Sequence, residues 1–209
     1  RMSSHRGAII VLEGLDRVGK STQATKLIDW FRKQGLLAEL IRFPDRTTLT
    51  GQMISDYLGG KVKLNDHLVH LLFTANRWEK YDEMIEKVRS GINLIIDRYS
   101  YSGVAYTAAK GLDVDWCKAP EQGLPRPDCV LFLDYDFQKT NQYREKFGEE
   151  IYERTEFQRS VYEVYMKLRE PNWNTIESNE KSIEQVHENI IEIVQKNLKQ
   201  IPEEISKLW

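Results

Sequence analysis

The chain has 209 residues, enough for one domain with a substantial core, and a formal net charge of −2 from 30 basic and 32 acidic side chains. Near-balanced charge gives no sign of the basic face or stripe of a nucleic-acid binder, and no apolar run reaches the roughly 18 residues of a membrane span. The two cysteines, Cys117 and Cys129, have no metal-ligand spacing around them and read as reduced structural thiols. Met2 reads as the natural start; with no signal-peptide pattern near it, a cytoplasmic protein is expected.

Apolar and amphipathic segments then alternate along the chain. AIIVLE (8–13) is a short β-branched run, a buried strand leading into a glycine loop, and residues 21–35 place Leu27, Ile28 and Phe31 at helical spacing before Gly35. A second strand is expected at 36–43, ending at Pro44. Residues 64–90 read as one long helical zone with Leu68, Leu71, Leu72, Ala75 and Trp78 on one face, closed by Gly91. INLIID (92–97) is a third strand, GVAYTAAKG continues as a helix, and CVLFLD (129–134) is a fourth strand. Polar residues 135–150 lack periodicity. A helix at 151–169, a strand near WNTIES and a helix from Ser182 to Lys199 follow. Strands alternating with helices predict a parallel sheet covered on both faces.

The stretch GLDRVGKS carries Gly14, Gly19, Lys20 and Ser21 in a G-x-x-x-x-G-K-S pattern between strand and helix. Successive backbone N–H groups at a helix N-terminus form a nest for phosphate oxygens. Lys20 adds a point charge for the β- and γ-phosphates, and the Ser21 hydroxyl can ligate Mg²⁺. The same loop holds Asp16 and Arg17, an acid beside a polyphosphate and a cation beyond what binding requires.

Other candidates lie at the expected carboxyl ends of strands, where open parallel sheets bind ligands. Asp97 can hold Mg²⁺ directly or through water, or cap the next helix. Arg98 can grip a second phosphate bidentately, or be a surface arginine. Arg46 follows a proline-rigidified turn. Phe73 and Arg77 share one helix face at i, i+4 spacing, which suits stacking on a base and bonding to its edge, though core packing also accounts for Phe73. His67 and His70, lacking a third ligand, read as partly exposed helix residues.

Six stretches (LEGLDRVGKSTQ, FPDRT, LLFTANRWE, DRYSYSGVAY, GLPRPDCVLFLD and YERTEFQ) occur in the order found in thymidylate kinases, and the chain resembles the eukaryotic type from about residue 6 onward. The resemblance implies an α/β, P-loop nucleoside monophosphate kinase fold, with a five-stranded parallel sheet and helices on both faces, as a single kinase domain over 1–209. Within it fall the P-loop (14–21), acceptor-binding helices at about 64–110 and a flexible lid at about 135–150. It implies transfer from ATP to dTMP with Mg²⁺, a step toward dTTP, and a homodimer.

Residue by residue, the resemblance assigns Gly14, Gly19, Lys20, Ser21 and Thr22 to the donor nucleotide, with Ser21 and Asp97 for the metal and Arg144 of the lid over adenine. Arg17 is implied to be the catalytic arginine, working with Lys20, Arg98 and Asp16; Arg144 or Arg154 of the lid can share that role. For the acceptor, Phe73 is implied to stack on thymine, Arg77 to read the base edge, and Arg46 and Arg98 to grip the monophosphate. Asp16 is implied to face the 3′-hydroxyl, turned away from the donor phosphates as Coulomb repulsion requires. Tyr106 is implied to pack near C2′ against a ribose hydroxyl, and Phe43, Gly103, Tyr152 and Gln158 to complete the pocket. A GTPase-like switch would read guanine through N-K-x-D, which the sequence lacks. A kinase of the same fold acting on another acceptor stays open.

Overall fold

The computed structural model describes residues 6–135, Tyr152 and 155–209. Most of the expected lid, with Arg144, and also Arg154 lie outside these residues. Within them, β1 (Ile9–Gly14), β2 (Ala38–Arg42), β3 (Asn93–Asp97), β4 (Cys129–Asp134) and β5 (Trp173–Glu177) form one parallel sheet in the order β2-β3-β1-β4-β5. Every residue of β1 and β3 is buried, which is why these strands read as continuous apolar runs rather than alternating ones.

The order sets where the helices go. The chain moves from β1 outward to β2, then back through β3 and across β1 to β4 and β5. Right-handed crossovers in opposite directions put their helices on opposite faces. So α1 (Lys20–Lys33) covers one face together with α8 (Ile183–Leu198), which packs on β4, β5 and α1. The other face carries α2 (Leu49–Leu58), α3 (Asp66–Trp78), α4 (Tyr81–Arg89), α5 (Ser100–Ala108), α6 (Val114–Lys118) and α7 (Thr155–Leu168). The direction reverses between β1 and β3, whose ends lie side by side with Leu12 in register with Asp97. That switch point is where sheets of this kind bind ligands.

Three local features differ from the sequence expectation. Helix α2 was not foreseen, although Thr48 is a well-formed N-cap accepting from the Gly51 amide at 3.1 Å. The zone 64–90 is two helices, the chain turning at Glu79 and Lys80, where the Lys80 ammonium is tied to Asp45 at 3.2 Å and Glu83 at 3.1 Å. Helix α3 is also turned around from the expected packing. Leu68, Leu71 and Trp78 are 43%, 44% and 38% exposed, whereas Val69, His70, Thr74, Asn76 and Arg77 are buried. Its inner face is mostly polar because it meets buried hydrogen-bonding groups.

His70 is therefore not an exposed helix residue. Its Nδ1 lies 2.9 Å from the Thr107 hydroxyl and its Nε2 2.7 Å from the Cys117 carbonyl, and burial pulls its pKa below the ordinary value. His67 is exposed. Both cysteines are free and buried. Among the described residues no helix is long and apolar enough to cross a membrane.

Candidate active site

The loop after β1 is shaped by close backbone approaches. Gly14 has φ 139°, and a Cβ there would stand 2.6 Å from the Leu133 carbonyl oxygen on β4, so only glycine lets the strand turn at this point. Arg17, two residues past Leu15, adopts φ 61°, a left-handed conformation that costs an L-residue roughly 1–2 kcal/mol. Such outliers concentrate at functional sites. Helix α1 starts at Lys20 behind Gly19, with no acidic residue in its first turn and Arg32 and Lys33 in its last. Its amino end is thus left positive.

Lys20 is 5% exposed and donates to the Leu15 carbonyl. Burial, with Arg98 nearby, pulls its pKa down to about 7 against the opposing pull of Asp16, Asp97 and Glu13.

Asp97 ends β3 beside this helix start, 5% exposed, and accepts from the Ser21 hydroxyl at 2.5 Å; Arg42 lies 3.8 Å away. It does not cap the following helix. The amides of Tyr99 and Ser102 at the start of α5 donate instead to Glu13 on β1, at 2.9 and 3.1 Å. Ser21 and Asp97 supply hard oxygens, and the described residues contain no cluster of three or more metal-binding side chains. That set fits Mg²⁺, which retains waters and takes its remaining ligands from substrate phosphates, and does not fit a structural metal.

Across the cavity Asp16 is engaged from three sides. Arg98 donates to Oδ1; the Tyr106 hydroxyl and Gln158 Nε2 donate to Oδ2 at 2.9 and 2.6 Å; Gln158 Oε1 also accepts from the Asp16 amide at 3.0 Å. Burial raises the Tyr106 phenol well above its ordinary range, so it acts as a donor. Arg98, like Arg17, has a left-handed backbone, φ 68°. Its guanidinium lies 5.4 Å from the Tyr106 ring centre and donates to the Gly14 carbonyl at 3.2 Å. With its side chain only 20% exposed, it is not a surface arginine.

Phe73 borders the same cavity, half-buried against a cluster of Ile54, Tyr57, Leu58 and Val69. Arg77, one turn on, is buried and held by Glu121, with Nε 2.8 Å from the carboxylate. Gly103 leaves room for it, since a Cβ would meet the Arg77 guanidinium at 2.4 Å. Tyr152 stacks on Phe157, while the Lys110 ammonium sits 4.7 Å from its ring centre.

One cavity of about 590 Å³ joins these parts. Its lining joins the loop residues Asp16, Arg17, Gly19, Lys20, Ser21 and Thr22 to Asp97, Arg98 and Tyr106 and to Phe43, Arg46, Phe73, Arg77, Gly103 and Tyr152. Gly14 and Gln158 stand behind the wall: Gly14 sets the turn, and Gln158 is fully buried and orients Asp16.

Sequence reasoning missed several residues. Arg42 lines the cavity beside Asp97, and its place at the end of β2 was a usable signal. Glu13 is fully buried and accepts from Ser102 Oγ at 2.5 Å and Tyr165 at 2.9 Å; burial raises its pKa despite these partners. An acid inside an apolar strand run marked it. Glu121 had no local signal at all.

Residues 12–190 match the thymidylate kinase family. The chain is 51% identical to a thymidylate kinase of Arabidopsis thaliana over 98% of its own length and 78% of that protein. It is 44% identical to human thymidylate kinase over the full length of both. A solved thymidylate kinase structure from Candida albicans superposes with a TM-score of 0.89 at 36% identity, covering 99% of this chain and 100% of the other.

Proposed function

This chain belongs to the thymidylate kinase family and is a dTMP kinase, and from that premise we propose how its cavity divides the work. The observation that supports the reading best is a phosphate-binding loop and an aromatic–arginine pocket opening into one 590 Å³ space, with Asp16 of the loop paired to Arg98. ATP is bound through the amides of the loop, Lys20, Ser21 and Thr22. An arriving polyphosphate supplies the counter-charge that keeps Lys20 protonated despite its burial.

The acceptor lies with its base on Phe73 and beside Arg77, its sugar against Tyr106 and Asp16, and its phosphate between Arg46 and Arg98. Tyr106 and Gln158 donate to Asp16, which supports a place for this acid on the acceptor side of a phosphate loop. Phosphoryl transfer is in line, and position and charge neutralisation carry most of it. A phosphate monoester is already largely ionised at neutral pH, so no general base is required. Mg²⁺, held through Ser21 and Asp97, would neutralise charge on the donor phosphates.

Phe73→Ala tests the acceptor half. Base–aromatic stacking is worth about 1–3 kcal/mol, so KM for dTMP is expected to rise roughly 5- to 150-fold while KM for ATP stays nearly unchanged. Equal losses for both substrates would make Phe73 a packing residue only.

The family implies a homodimer, and the exposed side of α2 and α3 suits one. Leu49, Met53, Leu68 and Leu71 are 80%, 48%, 43% and 44% exposed, apolar side chains on two helices that pack against each other. A second copy of the chain covers them in this reading. Wild-type protein should sediment as a dimer and Leu68→Glu/Leu71→Glu as a monomer; a monomeric wild type at micromolar concentration would refute it.

A further inference from the structure

The ion pair behind the base pocket is built with more precision than charge pairing demands. Arg77 is 2% exposed and Glu121, on the 3₁₀ turn Ala119–Glu121 far along the chain, is fully buried. Both carboxylate oxygens accept twice. Oε2 takes Arg77 Nε at 2.8 Å and the Ser100 hydroxyl at 2.7 Å, while Oε1 takes the Thr74 hydroxyl at 2.6 Å and Arg77 Nη2. Burial alone would raise the Glu121 pKa, but the Arg77 charge and these bonds outweigh it and hold the group ionised.

On the other side, a Cβ at Gly103 would stand 2.4 Å from Nη2, 3.0 Å from Cζ and 3.2 Å from Nη1. The guanidinium is therefore pressed between a carboxylate and the backbone of α5. The turn that carries Glu121 is itself tied down: the Gly123 amide donates to the Leu208 carbonyl at 3.2 Å, and Trp78 Nε1 to the Pro120 carbonyl at 2.8 Å.

Arginine offers donors only. A guanidinium with one fixed orientation is satisfied by a ring carbonyl and opposed by an amino group in the same place. Strong discrimination of this kind needs the protein group to be unable to turn away, because the penalty comes from donors left unpaired.

We propose that Glu121 is a positioning residue for acceptor choice: by clamping Arg77 against Gly103 it fixes the guanidinium that selects a pyrimidine monophosphate with a ring carbonyl over one with an amino group. This deepens the reading above, resting on Arg77 facing the base.

The test compares full-length wild type, Glu121→Gln and Arg77→Ala for kcat and KM with dTMP, dCMP and ATP. The glutamine removes the charge and sets an amide donor against one arginine donor. Glu121→Gln should raise KM for dTMP about tenfold or more and lower the dTMP-over-dCMP preference at least as much, with kcat and KM for ATP within about twofold. A purely structural role would lower the melting temperature and leave KM values and preference unmoved, which overturns the proposal. If Arg77→Ala shifts KM and preference and Glu121→Gln shifts neither, the clamp is wrong and the base-reading role of Arg77 stands. If Arg77→Ala shifts neither, that role fails and the proposal with it. Should Glu121→Gln not fold, Thr74→Val removes one bond to Oε1 and keeps the side-chain outline. A rise of about threefold or more in KM for dTMP alone supports the clamp, and an unchanged KM overturns it.

Discussion

Arg17→Gly is expected to lower kcat at least about a hundredfold, with ATP affinity by calorimetry changed only a few-fold. The loop amides and Lys20 supply the donors that a polyphosphate needs, so the proposed role of Arg17 is to act on charge that develops during transfer. Arg17 lines the same cavity as Arg46 and Arg98, and in the proposed arrangement its guanidinium bridges donor and acceptor oxygens. Arginines in this role are worth roughly 10³–10⁵ in turnover. The backbone makes this substitution unusually clean. At φ 61° glycine is the better residue for the fold, so the melting temperature should hold or rise while kcat and kcat/KM fall together. Weakened ATP binding with kcat intact would make Arg17 a ground-state clamp.

Asp97→Asn is the second large effect. The amide keeps the shape and can still accept from Ser21, whose hydroxyl lies 2.5 Å from the carboxylate, so the helix start stays in place. A neutral oxygen is a poorer ligand for a hard cation. Turnover and apparent Mg²⁺ affinity should both fall, by about 10–100-fold, and the Mg²⁺ titration should shift to higher concentration. An unchanged titration would leave Asp97 as a partner for Ser21 and nothing more.

Much of this was written locally in the chain. β1 and β4 announce themselves as buried runs, and the glycine loop lies between a strand and a helix as its chemistry needs. Asp97 and Arg98 follow a strand, which is enough to bring them to the switch point of a parallel sheet. What stayed hidden was tertiary. The leucines and Trp78 of α3 shared a face and His70 read as partly exposed, because a helix pattern shows which residues share a side and not which side is inward. The inner side is the polar one because His70 pairs there with Thr107, and Thr74 and Arg77 donate to Glu121. The pairing of Arg77 with Glu121 joins two segments with no common motif, so only the fold could reveal it. Glu13 is the intermediate case: its burial was readable from β1, its partners on α5 and α7 were not.

Acceptor selectivity tests the central claim most directly. ADP release can be measured with ATP, Mg²⁺ and each nucleoside monophosphate in turn. In the proposed arrangement Phe73 stacks on the base, Arg77 bonds its edge and Tyr106 packs beside the sugar. The account predicts dTMP as the best acceptor by kcat/KM, dUMP clearly weaker, and dCMP, purine and ribonucleotide monophosphates poor. Turnover of dCMP or AMP as efficient as that of dTMP would contradict it.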